Sequence, residues 1–598
     1  MSTSAAVRTT EGPATIAHLA DFGAVRHGAR GAARFKRDGE WQERSYADLA
    51  HEVRALARGL IDLGIAPGER VCVLASTRWE WMLVELAVVT AGAVVVPIYP
   101  TNSPEECEWV AGNSEAVAVV CEDPAQLEKI RKVRDRLPHL RTIVLIEGED
   151  DDAVRIDQLP APAATEAELE QRMAAVKPGD PLMFIYTSGT TGPPKGCILS
   201  HGNFRALCDM VDDIGITGAG DVVYLYLPLA HVFAQLIEIA CLYLGGTIAF
   251  FGGNTKQIVP ELTEVHPDYV PSVPRIFEKI YTLATAQLAQ ASPEEREQFR
   301  QAVKLGVEVR SRQARGEDVP AELLSAYEQA DEKIFKHVRA LFGGRMREAT
   351  TGAAPIAAEI LEFFYAAGCP VLEGYGMTET TGVGTTSTRE NFRFGTVGRA
   401  MPGVELRIGE DGEILMRGPN IFLGYWRNEE ATREILDDDG WLHTGDLGEL
   451  DDDAYLKITG RKKDIIITAG GKNLAPANLE NDLKQSRWIS QAVMYGDRRP
   501  YPVALVTLDA EEIAPWACEQ GLPEDLPALA REPRLRELIQ GVMDEVNSRY
   551  AQVEQIKRFE ILDHDLSQEE GELTPTLKVK RNVIYDKYAR TFDELYAK

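Results

Sequence analysis

Tyr186-Thr-Ser-Gly-Thr-Thr-Gly-Pro-Pro-Lys-Gly196 gathers hydroxyls, glycines and one lysine into a single turn. The apolar run before it, Pro181-Leu-Met-Phe-Ile-Tyr186, reads as a buried strand, so the turn leaves a strand end. Gly189, Gly192 and Gly196 let the backbone approach an anion and aim amide N–H groups at it. Thr187, Ser188, Thr190 and Thr191 add hydroxyl donors, and Lys195 adds a positive charge. A Walker A loop would need its lysine directly after glycine and before Ser or Thr. Here Lys195 follows two prolines and precedes glycine. The prolines forbid a helix straight off the loop, which therefore reads as a flap over phosphate. A Gly/Thr/Ser turn alone would suit a linker; its order here, after a strand, favours a polyphosphate.

Two further stretches follow in order, Glu373-Gly-Tyr-Gly-Met-Thr-Glu-Thr380 and His443-Thr-Gly-Asp446. Together with the first loop they resemble the signature motifs of the acyl- and aryl-adenylate-forming superfamily. That superfamily includes acyl-CoA synthetases, peptide-synthetase adenylation domains and beetle luciferases. The likeness runs from about Asp21 to Tyr588. It implies an α/β fold: a large N-terminal adenylate-forming lobe of stacked α/β sheets and a small mobile C-terminal α/β lobe.

The residues themselves suit such a site. Gly374 and Gly376 keep the backbone open beside a planar base, Tyr375 can stack on adenine, and Thr378 can donate to the α-phosphate. Glu373 and Met377 complete that motif, and the Gly352-Ala-Ala-Pro355 turn, with Ala353 and Ala354, resembles the loop lining the adenine and acyl pocket. Glu379 supplies a hard oxygen for Mg²⁺, with Thr190 as a second ligand. Asp446 can accept both ribose hydroxyls, and Arg461 falls where relatives keep an arginine for the ribose.

Other roles come from the resemblance alone. Tyr226-Leu-Pro-Leu-Ala-His231 resembles the segment that guards the acyl carboxylate, although a lone His in an apolar stretch also suits a core residue. Gly460-Arg-Lys-Lys-Asp464 resembles the hinge about which the small lobe rotates, with Lys463 at the pivot. Gly470 and Gly471 would line the pantetheine path of CoA. The catalytic lysine would come from Leu573-Thr-Pro-Thr-Leu-Lys578-Val-Lys580. Counting back from the tail favours Lys578, counting forward from Thr576 favours Lys580, and of the two Lys578 is preferred. Leucine stands before Lys578 where the commoner form has glycine.

A chain of 598 residues exceeds one core and predicts several lobes. Its net charge of −29 argues against nucleic acid and requires locally basic sites for anionic ATP and CoA. Eight scattered cysteines without a C-x-x-C pair suggest neither a disulfide framework nor zinc, and fit a reduced, cytoplasmic compartment. The N-terminus carries no apolar secretory core. The apolar segment 81–99 is broken by Glu85, Thr90, Gly92 and Pro97, so it reads as a buried helix, a glycine stop and a strand. Peripheral membrane contact stays open, as does the choice between monomer and homodimer.

Apolar runs at 71–75, 93–98, 117–120, 142–146, 182–186, 222–227 and 247–250 alternate with helical periodicity, as in largely parallel sheets. Residues 276–342 read as a helical insertion: a surface hairpin, a channel wall or a membrane-facing patch. The lobe boundary is expected near 459–461, giving a domain at 1–460 and another at 461–598. In the latter, strands are expected at 464–467, 491–495 and 503–508 and a helix at 476–485.

The implied activity is a two-step ligase that makes an acyl-adenylate from a carboxylate and MgATP, then a thioester with CoA. The Leu-Thr-Pro-Thr-x-Lys ending and the insertion resemble the long-chain fatty acid subfamily, whereas Gln235 stands where some long-chain relatives have an aromatic gate. Three alternatives remain open: a medium-chain or aromatic acid ligase, an enzyme loading a carrier protein, and a silent acyl- or nucleotide-binding regulator.

Overall fold

A computed structural model of the chain describes residues 12–159, 164–187, 193–286, 292–469, 473–574 and 577–597. Each of the seven apolar runs forms a strand. Five of them, with two short or paired companions, make a seven-stranded sheet. Its spatial order is Val154–Arg155, Thr142–Leu145, Ala118–Cys121, Arg70–Leu74, Val94–Ile98, Pro181–Thr187 and Lys195–Ser200. All pairs are parallel except the last. These strands are buried on both faces, which is why they read as continuous apolar runs rather than alternating ones.

A nine-stranded sheet holds Val222–Leu225, Thr247–Phe250, Tyr269–Ser272, Glu348–Thr351 and Val371–Tyr375 in a parallel centre with antiparallel edges. Helices Tyr46–Asp62, Trp79–Thr90, His201–Ile214 and Val232–Leu244 contribute to the core shared by the two sheets. Segment 81–99 resolves into the helix Trp79–Thr90 and strand Val94–Ile98, and among the described residues no helix is long and apolar enough to cross a membrane. Helices Pro274–Thr285, Pro293–Ala314, Ala321–Ala330 and Lys336–Leu341 occupy the insertion and pack on Ala358–Ala367. Gly306 lets two of these helices close: a Cβ there would sit 2.6 Å from that of Ala366.

A four-stranded antiparallel sheet follows, ending in Leu456–Arg461. Arg461 is therefore the last residue of this sheet rather than the first of the small lobe. The expected strand at 464–467 is shorter than anticipated: a 3-10 turn, Lys462–Asp464, comes first and only Ile466–Ile467 is extended. Helix Pro476–Lys484 packs against the strands Ile489–Tyr495 and Val503–Leu508. A third strand, Arg558–Ile561, pairs with Val503–Leu508 in parallel. It escaped the sequence reading because its four residues alternate weakly within a polar tail.

Candidate active site

Motif residues issue from the carboxyl ends of strands, where open α/β sheets place their ligands. Strand Pro181–Thr187 turns back as Lys195–Ser200, so Thr187 and Lys195 face each other across a hairpin. Ser188, Gly189, Thr190, Thr191 and Gly192 lie outside the described residues. Gly196 packs on Tyr186, where a Cβ would come within 3.0 Å of the ring. The second strand is extended by segment 423–426 through Ile198 N–H to Gly424 O (2.9 Å) and Trp426 N–H to Gly196 O (2.8 Å). That segment brings Tyr425 beside Lys195. The Lys195 ammonium lies 5.1 Å from the Tyr425 ring centroid, and the Tyr425 hydroxyl donates to Glu379 Oε1 at 2.5 Å.

Glu373, Gly374 and Tyr375 belong to the strand Val371–Tyr375 rather than to a loop beyond it. At Gly376 a Cβ would lie 2.4 Å from Gly382 O, so the fold admits no side chain there. After Met377, Thr378 opens a 3-10 turn, Thr378–Thr380, which holds Thr378 and Glu379 in buried positions. The side-chain amide of fully buried Asn420 donates to Thr380 O (3.1 Å) and Val383 O (2.7 Å), and its backbone carbonyl accepts from the Thr381 hydroxyl at 2.6 Å. Phe422 N–H reaches Glu379 O at 3.0 Å. Asn420 and Tyr425 thus set the Glu379 loop, and neither was found from the sequence. Gly424-Tyr-Trp426, a glycine and two aromatics without helical periodicity, was the signal available.

Both oxygens of buried Asp446 are engaged: Oδ2 accepts from the Tyr375 hydroxyl (2.6 Å) and Oδ1 from Arg461 Nε (2.9 Å). Burial, reinforced by Asp446, holds the Tyr375 phenol well above its ordinary pKa. Burial alone pushes the Glu373 carboxyl up to about 8, so it is largely protonated at neutral pH. Gly352 follows strand Glu348–Thr351 and sits with its Cβ position 3.2 Å from Gly374 O. Ala353, with a φ of 68°, turns the chain outward, leaving Ala353 and Ala354 exposed.

His231 caps the helix Val232–Leu244, its Nδ1 accepting from Phe233 N–H at 3.2 Å. That bond leaves the proton on Nε2, which is the free donor of the ring. Burial, with help from the positive charge of Lys578, lowers the imidazole to about 4. Lys578 comes from the small lobe. The residue as a whole is exposed, but its ammonium is crowded and desolvated by protein, within electrostatic reach of Arg461, Asp446, Glu379 and His231. Desolvation, then Arg461, lowers its pKa, while Asp446 and Glu379 pull it back up. Lys580 instead stands at the N-cap position of Arg581–Lys587. Leu577, with a φ of 60°, adopts the left-handed backbone that the commoner glycine would take without strain.

Lys463 lies exposed in the 3-10 turn. Beside it Lys462 pairs with Asp411 (2.6 Å) and Glu413 (3.1 Å), and Glu413 also accepts from Gly445 N–H at 2.8 Å. The residue before Lys463 is thereby tied to the four-stranded sheet, including the strand Leu442–Leu450 that carries Asp446. Gly470 and Gly471 lie outside the described residues.

The model of the AMP-binding enzyme family matches residues 22–426, and that of the AMP-binding enzyme C-terminal domain matches 463–598. The chain belongs to the AMP-binding enzyme family. Members similar to it include the long-chain-fatty-acid–CoA ligase FadD15 of Mycobacterium bovis, 40% identical, covering 94% of this chain and 93% of that protein. The long-chain-fatty-acid–CoA ligase ACSBG2 of Xenopus laevis is 34% identical, covering 98% and 84%. Among solved AMP-binding folds, an anthranilate CoA ligase, AuaEII, in complex with anthranoyl-AMP superposes with a TM-score of 0.74 at 20% identity, covering 98% of this chain and 100% of that one.

Proposed function

We propose that this chain is a long-chain fatty acid–CoA ligase, activating the acid with ATP and passing the acyl group to CoA with release of AMP and pyrophosphate. The observation that carries the reading is the meeting of Lys578 from the small lobe with Glu379, Asp446, Arg461 and His231 in one cleft. The relatives named long-chain-fatty-acid–CoA ligase support the substrate class.

In the first step the fatty carboxylate attacks the α-phosphorus of ATP in line, the bond to pyrophosphate breaks, and no protein nucleophile is needed. Thr187 and Lys195, with Ser188, Gly189, Thr190, Thr191 and Gly192, hold the polyphosphate. Tyr375 stacks on adenine beside Glu373, Gly374, Gly376, Met377 and the Gly352-Ala-Ala turn. Asp446 and Arg461 take the ribose. The Nε2–H of neutral His231 orients the carboxylate, and Thr378 donates to the α-phosphate. Lys578 offsets charge gathering on the acyl and α-phosphate oxygens, the kind of preorganised stabilisation that contributes most in enzymes.

A single buried carboxylate such as Glu379 suits Mg²⁺, which takes few protein ligands and completes its shell with phosphate and water. Glu379 and Thr190 would hold the ion, which supplies charge neutralisation at the polyphosphate. Rotation about Lys463 would then withdraw Lys578 and open a path along Gly470 and Gly471 for the thiol. Seven buried cysteines and one exposed, all unpaired, support a reducing, cytoplasmic setting.

The test is pyrophosphate and AMP release from MgATP across acids from acetate to stearate, with and without CoA. CoA-dependent release peaking between laurate and stearate is expected. Pyrophosphate without CoA-dependent turnover would reassign the acceptor to a carrier protein, and a peak at short or aromatic acids would reassign the substrate.

A further inference from the structure

Glu85 lies on the helix Trp79–Thr90 and Glu238 on Val232–Leu244, and both are fully buried. Their carboxyl groups face each other. Among the described residues no donor reaches any of their four oxygens, and the Oε1 of fully buried Gln235 is likewise unpartnered. Two carboxylates cannot both stay ionised in such a place: the surroundings are apolar and no cation balances them. A proton held between the two relieves the pair, because it turns mutual repulsion into a hydrogen bond. The remaining groups facing the pair, Gln235 and the buried thiol of Cys241, are uncharged.

The cluster has a direction. His231, Gln235 and Glu238 succeed one another at i, i+4 and i+7, so they share one face of the helix. Gln235 Nε2 donates to Leu229 O at 2.6 Å, two residues before His231. From the other side the hydroxyl of Thr77, just ahead of the helix bearing Glu85, donates to Leu227 O (2.7 Å) and accepts from Leu229 N–H (3.1 Å). The segment that delivers His231 is therefore held between Gln235, on one acid-bearing helix, and Thr77, just ahead of the other.

We propose that Glu85 and Glu238 share one proton and, with Gln235, form a positioning cluster that fixes the His231 side of the acyl-carboxylate pocket. None of the three touches a reacting atom; they act through the Leu229 carbonyl and the first turn of the His231 helix. The proposal rests on the reading of His231 as the carboxylate donor.

Two independent readouts test it on the full-length chain. Infrared difference spectra at neutral pH, wild type against Glu85→Gln, should show the carbonyl stretch of an un-ionised carboxylic acid in the wild type and its loss in the variant. Pyrophosphate exchange with palmitate should then separate the kinetic constants. Gln235→Leu is expected to raise the palmitate KM about tenfold, near the cost of one buried hydrogen bond, with the ATP KM unchanged. Glu85→Gln and Glu238→Gln, whose amides can hydrogen-bond the remaining carboxylate, should keep turnover that Glu238→Ala loses.

Absence of the acid band in the wild type would overturn the shared proton, whatever the kinetics. A palmitate KM in Gln235→Leu equal to that of the wild type, beside a raised one in His231→Ala, would overturn the positioning role. An unchanged palmitate KM in His231→Ala would instead remove the carboxylate reading and the positioning role with it, while the infrared band still decides the proton.

Discussion

Lys578 and Lys580 are two residues apart, and the backbone between them separates their surroundings. Lys578 reaches the cleft, while Lys580 starts a helix. Lys578→Ala should lower pyrophosphate exchange by about 10²–10³, the usual cost of removing one preorganised charge stabiliser. Thioester formation from a supplied acyl-adenylate should stay largely intact, and Lys580→Ala should behave as the wild type. Equal loss of both half-reactions in Lys578→Ala would contradict this division of labour. The neighbouring Leu577 holds a left-handed backbone at about 1–2 kcal/mol. Leu577→Gly should therefore preserve exchange better than Leu577→Val, since a β-branched residue fits that region worst. His231 gives a pH signature. With its imidazole lowered to about 4, it stays a neutral donor through the physiological range. The kcat/KM for adenylation should show no break at the ordinary 6.5 traceable to this ring. A break there that vanishes in His231→Asn would refute the assignment.

At the scale of elements, the loop after strand Val371–Tyr375 depends on two residues outside the motif it presents. Asn420→Ala would leave the carbonyls of Thr380 and Val383 without their buried donor, at a cost of about 1–3 kcal/mol. Thermal unfolding should register the loss, and ATP binding should weaken with it. The helix pair bearing Glu85 and Glu238 predicts a pH dependence of stability. Burial raises Glu85 from the ordinary 4.5 to about 8, so the folded state holds a proton that the unfolded chain gives up. The associated stability is fully present below the unfolded value and is lost as pH rises towards about 8. The melting temperature of the wild type should fall across that window, and Glu85→Gln should flatten the fall. A wild-type profile as flat as that of the variant would count against the pair.

Across the whole molecule the lobes are joined by polar contacts at the surface. Arg275, at the start of Pro274–Thr285, pairs with Asp509 of the small lobe, and Lys256 lies 3.5 Å from Glu511. Gln568 also reaches Thr101 O at 3.3 Å. Arg275 is largely exposed, so its pair contributes at most about 1 kcal/mol. Weak contacts would suit the lobe rotation proposed above. Arg275→Ala should slow pyrophosphate exchange by a few-fold and reduce its sensitivity to salt, leaving thioester formation from supplied acyl-adenylate unaffected. Unchanged salt dependence would show that this pair does not hold the closed arrangement.

The sequence alone marked five strands of the seven-stranded sheet, two of the apolar runs that enter the nine-stranded one, and the short motifs around Thr187, Tyr375 and Asp446, because strand burial and turn chemistry are written in neighbouring residues. It preferred Lys578 to Lys580 only by counting back from the tail, since register through a proline-containing turn depends on what the turn packs against. It left Asn420 and Tyr425 unmarked, because their work is done on a loop some forty residues earlier in the chain. Glu85 looked like a polar interruption of an apolar segment; only the packing of Trp79–Thr90 against the core shared with Val232–Leu244 brings it to Glu238. Local propensity and motif chemistry act over a few residues. Burial, proton sharing and the meeting of the two lobes arise from contacts between distant elements, and only the tertiary structure decides those.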